Sequence, residues 1–471
     1  STEFAQDSPC SAQPGGGGMR VLMFTRILDA SILVNMETQI ITAKLKLLID
    51  AEQAGVLMET ACAYRDALNQ TAEVAFVHNK LSQAMKLQTL VYGELRERFG
   101  LPAQMACNVP RQVAASYKML WSRTKTNAEH RAKGWTKKRY RGLDRPPRYS
   151  ALTVFYNYRR DFSLGKDRTV SLGTLQGRLR CGYVGYQKHL DLLEDERVRV
   201  QGAKLWRDPT SKVWYLLVSL GVAVQPVAPE TIRAVAGVDL GQRYLAVESN
   251  GRRARFWSGS AVLHRAEHFR RVRAGLQRKG TRSATRTLRR LALRETRFRA
   301  DVNHQVSKHL AQPGTLIGME WLHDIDERTE RRHRPEASSK QRRANRRRAG
   351  WSFADLQGKT HYKAHLQGLP VIYVDADYTS QGCPVCGHTG KENRPGKGLR
   401  FECASCGFEL HADLVGARNV ALRTLLIRQD WIRTGCLSAT PKGSDAEAKA
   451  GRLQRYLELR WSSEPNPLLD H

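Results

Sequence analysis

The chain has 471 residues, 41% of them hydrophobic, and sets 77 Lys and Arg against 45 Asp and Glu for a formal net charge of +32. That length suits about three domains with real cores and excludes a disordered basic tail. The charge calls for a polyanionic partner; because basic residues recur along the whole chain instead of flanking one apolar stretch, nucleic acid fits better than a membrane surface. Residues 1–18, with four glycines just before Met19, read as a linker or an expression scar. Ile41–Leu48 alternates as a strand, after which helical spacing runs from Ala51 to Lys118 with a break at Phe99-Gly-Leu-Pro102. Lys125–Arg148 is basic and interrupted by Gly134, Gly142, Pro146 and Pro147, which reads as a linker or a nucleic-acid-contacting loop. Strand signals follow at Leu152–Tyr156, at Thr169–Leu172 and, after a turn at Asp208–Ser211, at Val213–Val218. With the strand from Ile41 they predict a small β-barrel. Gln225-Pro226 and Ala228-Pro229 mark a hinge.

The second half opens on Ala234–Asp239, an apolar strand finishing on a carboxylate, followed by a short strand at Tyr244–Glu248. One long basic helical region is predicted from Ala261 to Leu310, where Leu291, Phe298, Val302, Val306 and Leu310 recur at helical intervals. Thr315–Glu320 is a third strand ending on an acid. The stretch between His333 and Arg348 is dense in Arg and Lys with no apolar period and reads as a flexible loop. Leu369–Asp375 is another buried strand.

Cys383-x-x-Cys386 and Cys403-x-x-Cys406 then form a paired knuckle, each pair followed by a glycine and separated by 16 residues. Four thiolates at this spacing can close a tetrahedral site for one Zn²⁺, a structural ion because four sulfurs leave no position for water. A pair of redox-active dithiols would need a thioredoxin-like βαβ context that the flanking sequence lacks. The other five of the nine cysteines stand singly, which suits a reducing compartment. No run of about 18 uncharged apolar residues occurs, so a cytoplasmic protein without a membrane partner is expected.

Asp239, Glu320 and Asp413 are the candidate catalytic residues. Two of them end apolar strands and the third opens an amphipathic helix, positions from which distant residues can converge. Three carboxylates brought together repel one another unless cations lie between them. Two Mg²⁺ ions could activate a water on one side of a phosphodiester and stabilise the leaving oxygen on the other. Basic runs flank these acids, with Arg270 and Arg271 before Glu320 and Arg342, Arg343, Arg346 and Arg347 after it; they are candidate backbone contacts, and each phosphate neutralised on duplex DNA adds about −0.9 to the salt slope. His304 in Asn303-His-Gln-Val-Ser-Lys308 reads as a hydrogen-bonded helix-face histidine, and Tyr378–Gln381 as a polar loop capping the knuckles.

Gly237-Val-Asp-Leu-Gly241, Asn303–Lys308, Ile317-Gly-Met-Glu320, Tyr378–Gly387 and Cys406–Asn419 together resemble the RuvC-type nuclease of the TnpB (OrfB) transposon proteins and their descendants, the miniature type V CRISPR effectors. The resemblance covers residues 231–425, and Glu97–Met105 is similar to the recognition lobe of one branch. It implies an α+β multidomain chain: a ribonuclease-H-like (RuvC) α/β nuclease domain with an inserted zinc ribbon, plus an N-terminal wedge β-barrel split by a helical recognition lobe. The implied boundaries are 19–50 and 131–228 for the barrel and linker, 51–130 for the lobe, 229–378 and 409–428 for the nuclease, 379–408 for the ribbon and 429–471 for a C-terminal tail. By the same resemblance the chain is an RNA-guided DNA endonuclease whose partners are a guide RNA and target double-stranded DNA, in a prokaryotic, nucleoid-associated setting. Asp239, Glu320 and Asp413 match the metal-binding acids and the four cysteines the zinc ligands, while Gln104, Asn108 and Arg111 are placed to face a flanking DNA motif. An RNA-guided binder that represses with little or no cleavage stays open beside it. Strand transfer by a true transposase is disfavoured, since the acids come in the order Asp, Glu, Asp. Whether the guide derives from a CRISPR array or a transposon end stays open as well.

Overall fold

The computed structural model describes residues 37–134, 136–322, 338, 352–396, 399–437 and 446–461. The expected linker at 1–18 and the arginines at 331–348, including Arg342, Arg343, Arg346 and Arg347, lie outside the described residues. Among the described residues two compact units part between Gln39 and Ile40 and again between Gly221 and Val222, the latter a few residues before the prolines of the expected hinge.

The first unit is a barrel-like sheet carrying inserted helices. β1 (Glu37–Leu48) buries Ala43, Leu45 and Leu47 and exposes the lysines between them, as a half-buried strand requires. Asp50 ends it and caps α1 (Ala51–Val77) in a reciprocal box: its carboxylate accepts from Gln53 N at 2.8 Å, and Gln53 Oε1 accepts from Asp50 N at 3.3 Å. α2 (Ala84–Glu97) and α3 (Ala103–Ala132) complete the insertion. α3 runs eight residues into the stretch read from Lys125 as loop, because its glycine and proline breakers start only at Gly134.

The chain returns as β2 (Thr153–Asn157), β3 (Phe162–Leu164), β4 (Thr169–Thr174), β5 (Gly177–Gly185), helix α4 (Gln187–Glu194), β6 (Val198–Arg207) and β7 (Trp214–Val224). Sheet order is β2-β6-β7-β1-β5-β4-β3, so β1 lies between strands drawn from the other side of the helical insertion. A bridge from Tyr158 to Phe162 links the two edge strands and nearly closes the sheet. Tyr64, Tyr117, Tyr156 and Phe162 fill its core, with the Tyr117 hydroxyl donating to Ala72 O at 2.8 Å and that of Tyr156 to Gly173 O at 2.9 Å.

The second unit is built on a five-stranded sheet of order β10-β9-β8-β11-β12, formed by β8 (Ala234–Asp239), β9 (Tyr244–Ser249), β10 (Ala254–Ser258), β11 (Thr315–Glu320) and β12 (Val371–Val374). β8, β11 and β12 are parallel, whereas β9 and β10 fold back antiparallel. The expected helical region over 261–310 consists of two helices, α5 (Ser260–Lys279) and α6 (Arg282–Leu310). Gly280, at φ +62°, ends the first in a left-handed conformation, and the Thr281 hydroxyl caps the second by accepting from Ala284 N at 3.1 Å. α7 (Phe353–His365) precedes β12. A short ribbon of β13 (Arg400–Glu402) and β14 (Glu409–His411) leads into α8 (Ala412–Thr434), and α9 (Ala446–Leu457) is a helix where only a tail was expected.

Two glycines set the distance between α8 and the sheet. Gly237 and Gly318 are register partners on β8 and β11. A methyl group at Gly237 would fall on the Ala417 carbonyl and the Ala421 backbone, and one at Gly318 on the Thr424 side chain. Only glycine allows this approach, and α8 is accordingly buried along most of its length, from Ala412 to Trp431.

Candidate active site and cysteine cluster

Side chains alternate along a strand, so Asp239 and Glu320, each two residues after one of these glycines, share the face that α8 covers. Register pairs Val238 with Met319, which sets the two acids side by side at the carboxyl ends of adjacent parallel strands. Asp413 lies in the first turn of α8, where the helix dipole favours a negative charge. One turn on, a methyl at Gly416 would sit 3.3 Å from Asp239 Cγ, so the helix start abuts that carboxylate. The structure therefore brings together three acids separated by 81 and 93 positions in the chain.

Burial, followed by the charges of Glu320 and Asp413, raises the Asp239 carboxyl well above the usual carboxylate range; Arg394 and the Leu240 N–H oppose the rise. Glu320 is 8% exposed, and burial raises it too. Against that stand the Thr379 hydroxyl, which donates to Glu320 Oε1 at 2.5 Å, and the Arg423 guanidinium. The loop at Tyr378–Gln381 thus orients a site acid as well as adjoining the ribbon. Arg394 and Arg423 were not singled out from the sequence; Arg394 reaches the acids from within the ribbon and carried no motif of its own.

The four cysteines form a second centre. Their sulfurs all lie within 4.8 Å of one another, with Cys383 and Cys406 at 3.7 Å and Cys386 and Cys403 at 3.4 Å. A disulfide would need about 2.05 Å, whereas a tetrahedral zinc with bonds of about 2.3 Å sets sulfurs about 3.8 Å apart. Gly387 and Gly407 take φ of +82° and +71°, turning the chain so that each N–H donates to the first cysteine's carbonyl at 2.9 Å. Among the described residues no other group of three or more His, Cys, Asp or Glu is drawn in this tightly. The carboxylates converge without forming a closed cage.

Asn419 joins the two centres: its amide donates to Thr379 O at 2.7 Å and Gly382 O at 2.8 Å, fastening the ribbon's entry to α8.

Other candidates fall elsewhere. Asn108 is buried, with its amide donating to Phe155 O at 3.1 Å and Asp161 Oδ2 at 3.3 Å while Asn157 Nδ2 donates to its carbonyl oxygen at 2.9 Å. This corrects the expectation that Asn108 faces DNA, since it fastens α3 to the barrel. Gln104 donates to Asn108 at 3.3 Å from a half-buried position, and Arg111 is exposed. Arg270 and Arg271 are exposed on α5, Arg270 paired with Glu267 at 2.5 Å. In the Asn303–Lys308 motif Asn303, Val306 and Ser307 are buried, with Asn303 donating to Asp355 Oδ2 at 2.8 Å, whereas His304 is exposed.

Two sequence families match the second unit and its approach. Residues 219–323 match the family described as a probable transposase of the OrfB type, and residues 353–420 the Cas12f1-like TNB domain. The chain resembles TnpB and Cas12f-type proteins over both segments. It is 27% identical over 251 residues to the CRISPR-associated endodeoxyribonuclease Cas12f1 of Sulfoacidibacillus thermotolerans, covering 50% of this chain and 56% of that protein. It is also 27% identical over 217 residues to the putative RNA-guided DNA endonuclease InsQ of Escherichia coli, covering 44% and 53%. Among solved structures, CasPhi-2 (Cas12j) bound to crRNA matches at 10% identity with a TM-score of 0.48, covering 87% of this chain and all of that one. The chain spans about half the length of the curated relatives it matches. Among the described residues no helix is long and apolar enough to cross a membrane.

Proposed function

We propose that the chain is an RNA-guided DNA endonuclease with one ribonuclease-H-like (RuvC) centre at Asp239, Glu320 and Asp413. The observation that carries this is the register of Gly237 with Gly318, which sets two acids side by side and lets α8 bring the third onto them. The sheet order, three parallel strands extended by an antiparallel pair on the β8 side, supports the ribonuclease-H-like reading. Carboxylates that raise one another's proton affinity fit divalent cations, which relieve that repulsion. Mg²⁺ held by these three residues would activate the attacking water and stabilise the leaving oxygen of a phosphodiester. Thr379 orients Glu320 and opposes the rise that burial imposes on its carboxyl, and Arg394 places a positive charge near Asp239. The sulfur spacing fits one structural Zn²⁺ at Cys383, Cys386, Cys403 and Cys406.

In this reading the barrel is the wedge, α1–α3 inserted between β1 and β2 form the recognition lobe, and guide RNA and double-stranded DNA are the polyanions that the +32 charge serves. The test is cleavage of a matching plasmid by the protein purified with its co-expressed RNA. Mg²⁺-dependent cutting that vanishes in Asp239→Ala is expected. Binding of the matched target without cutting, identical in both proteins, would replace the endonuclease with an RNA-guided repressor.

A further inference from the structure

α9 lies outside both matched segments, yet two of its three basic residues meet acids of the loop that follows β12 and the third meets α8. Lys449, Arg452 and Arg455 recur every three residues, which puts them along one side of a helix. Arg452 grips Asp375 with both arms, Nε to Oδ2 at 2.8 Å and Nη2 to Oδ1 at 3.3 Å. Lys449 Nζ meets Asp377 Oδ2 at 2.7 Å, and Arg455 grips Asp430 of α8 at 2.7 and 3.0 Å. Asp375 is 5% exposed, so it is a desolvated carboxylate that needs a cation rather than a surface charge that tolerates one.

These contacts bear on the acidic centre. Glu320 pairs with Val374 in the sheet, the residue just before Asp375, and the charge of Asp377 reaches Glu320. Arg423 stands between, donating to the backbone carbonyls of Asp375 and Asp377, the latter at 2.8 Å, while its charge also acts on Glu320. The buried ring of Tyr456 lies 4.5 Å from the Arg423 guanidinium and keeps it in place from the α9 side. Five carboxylates thus crowd this end of the sheet, and α9 supplies partners for two.

We propose that α9 is a positioning clasp: Arg452 and Lys449 neutralise the surplus carboxylates Asp375 and Asp377, leaving Asp239, Glu320 and Asp413, among the described residues at this end of the sheet, to take divalent cations. Arg452 and Lys449 are positioning residues that act through the loop and through Arg423. The inference rests on the reading of the three acids as a cation site.

The test is Mn²⁺ binding by calorimetry to the full chain, with circular dichroism confirming the fold of each variant. Arg452→Ala with Lys449→Ala frees two carboxylates beside the site, and the Mn²⁺ Kd is expected to fall at least threefold. Asp375→Asn with Asp377→Asn strands two cations there instead, and the Kd is expected to rise at least threefold. Combining all four changes should return it to the parental value, and Arg452→Lys should stay within twofold of parental. Simple loosening of the fold would weaken Mn²⁺ binding in both pairs, so shifts of the same sign, or none, overturn the clasp. Parental Mn²⁺ binding that is indifferent to Asp239→Ala would overturn the cation-site reading and the clasp with it, whereas binding lost in Asp239→Ala but unmoved by either pair overturns the clasp alone.

Discussion

The carboxylate and cysteine centres adjoin in one unit but are assembled in opposite ways. The cysteines span residues 383–406 and close through their own turns, so their geometry follows from spacing. The acids span residues 239–413 and meet only because two strands pair in one register and one helix packs on two glycines. A local centre should fail locally, and a nonlocal one should fail with the packing around it. Both gather groups that repel one another when ionised, and among the acids that repulsion shows as a raised proton affinity at Asp239.

Neutralising one acid should split function from stability most sharply. Asp239→Asn is expected to reduce cleavage to background while the melting temperature measured in EDTA stays level or rises, because a buried like-charge contact has been removed. Cys383→Ser should show the reverse pattern, with zinc lost by elemental analysis and fast amide exchange confined to the ribbon while the sheet stays protected.

Gly237→Val tests the nonlocal half. It drives a side chain into the α8 backbone and should cost about 3 kcal/mol by denaturant unfolding, with full zinc retained. Acid should weaken the same unit through His361, which stacks on Tyr373 and is held down to about 4 by burial, with His365 adding to the effect. The unfolded state protonates near the ordinary value of about 6.5 while the folded state does not, so stability is whole above that pH and falls as pH drops toward 4, by about 3 kcal/mol at most. His361→Phe should flatten that part of the pH profile of unfolding. Thr379→Val is the mildest change: losing one hydrogen bond to Glu320 should slow cleavage about tenfold, roughly 1.4 kcal/mol, with little change in unfolding free energy.

The same contrast explains what was legible in the sequence. β8 and β11 fall on the residues expected, since short apolar runs ending on an acid leave little choice of boundary. The glycine two places before each acid was also in plain view, but its meaning depends on a helix that arrives 94 residues after Gly318 and 175 after Gly237. The helical region over 261–310 is legible from its apolar intervals, and Gly280-Thr281 marks its division as a stop followed by a cap. Asn108 looked like a polar helix residue because its partners lie 47 to 53 positions away. α9 carries a short apolar period at Ala450, Leu453, Tyr456 and Leu457 that marks a helix, but the acids its Arg and Lys meet lie 25 to 77 positions away and leave no local signal.

The most direct test of the central claim is to locate Mn²⁺ by its anomalous scattering in crystals of the full chain. Density among the carboxylates of Asp239, Glu320 and Asp413, absent in Asp239→Ala, is the expected result. Mn²⁺ that leaves those three acids empty and binds only at other carboxylates would contradict the account.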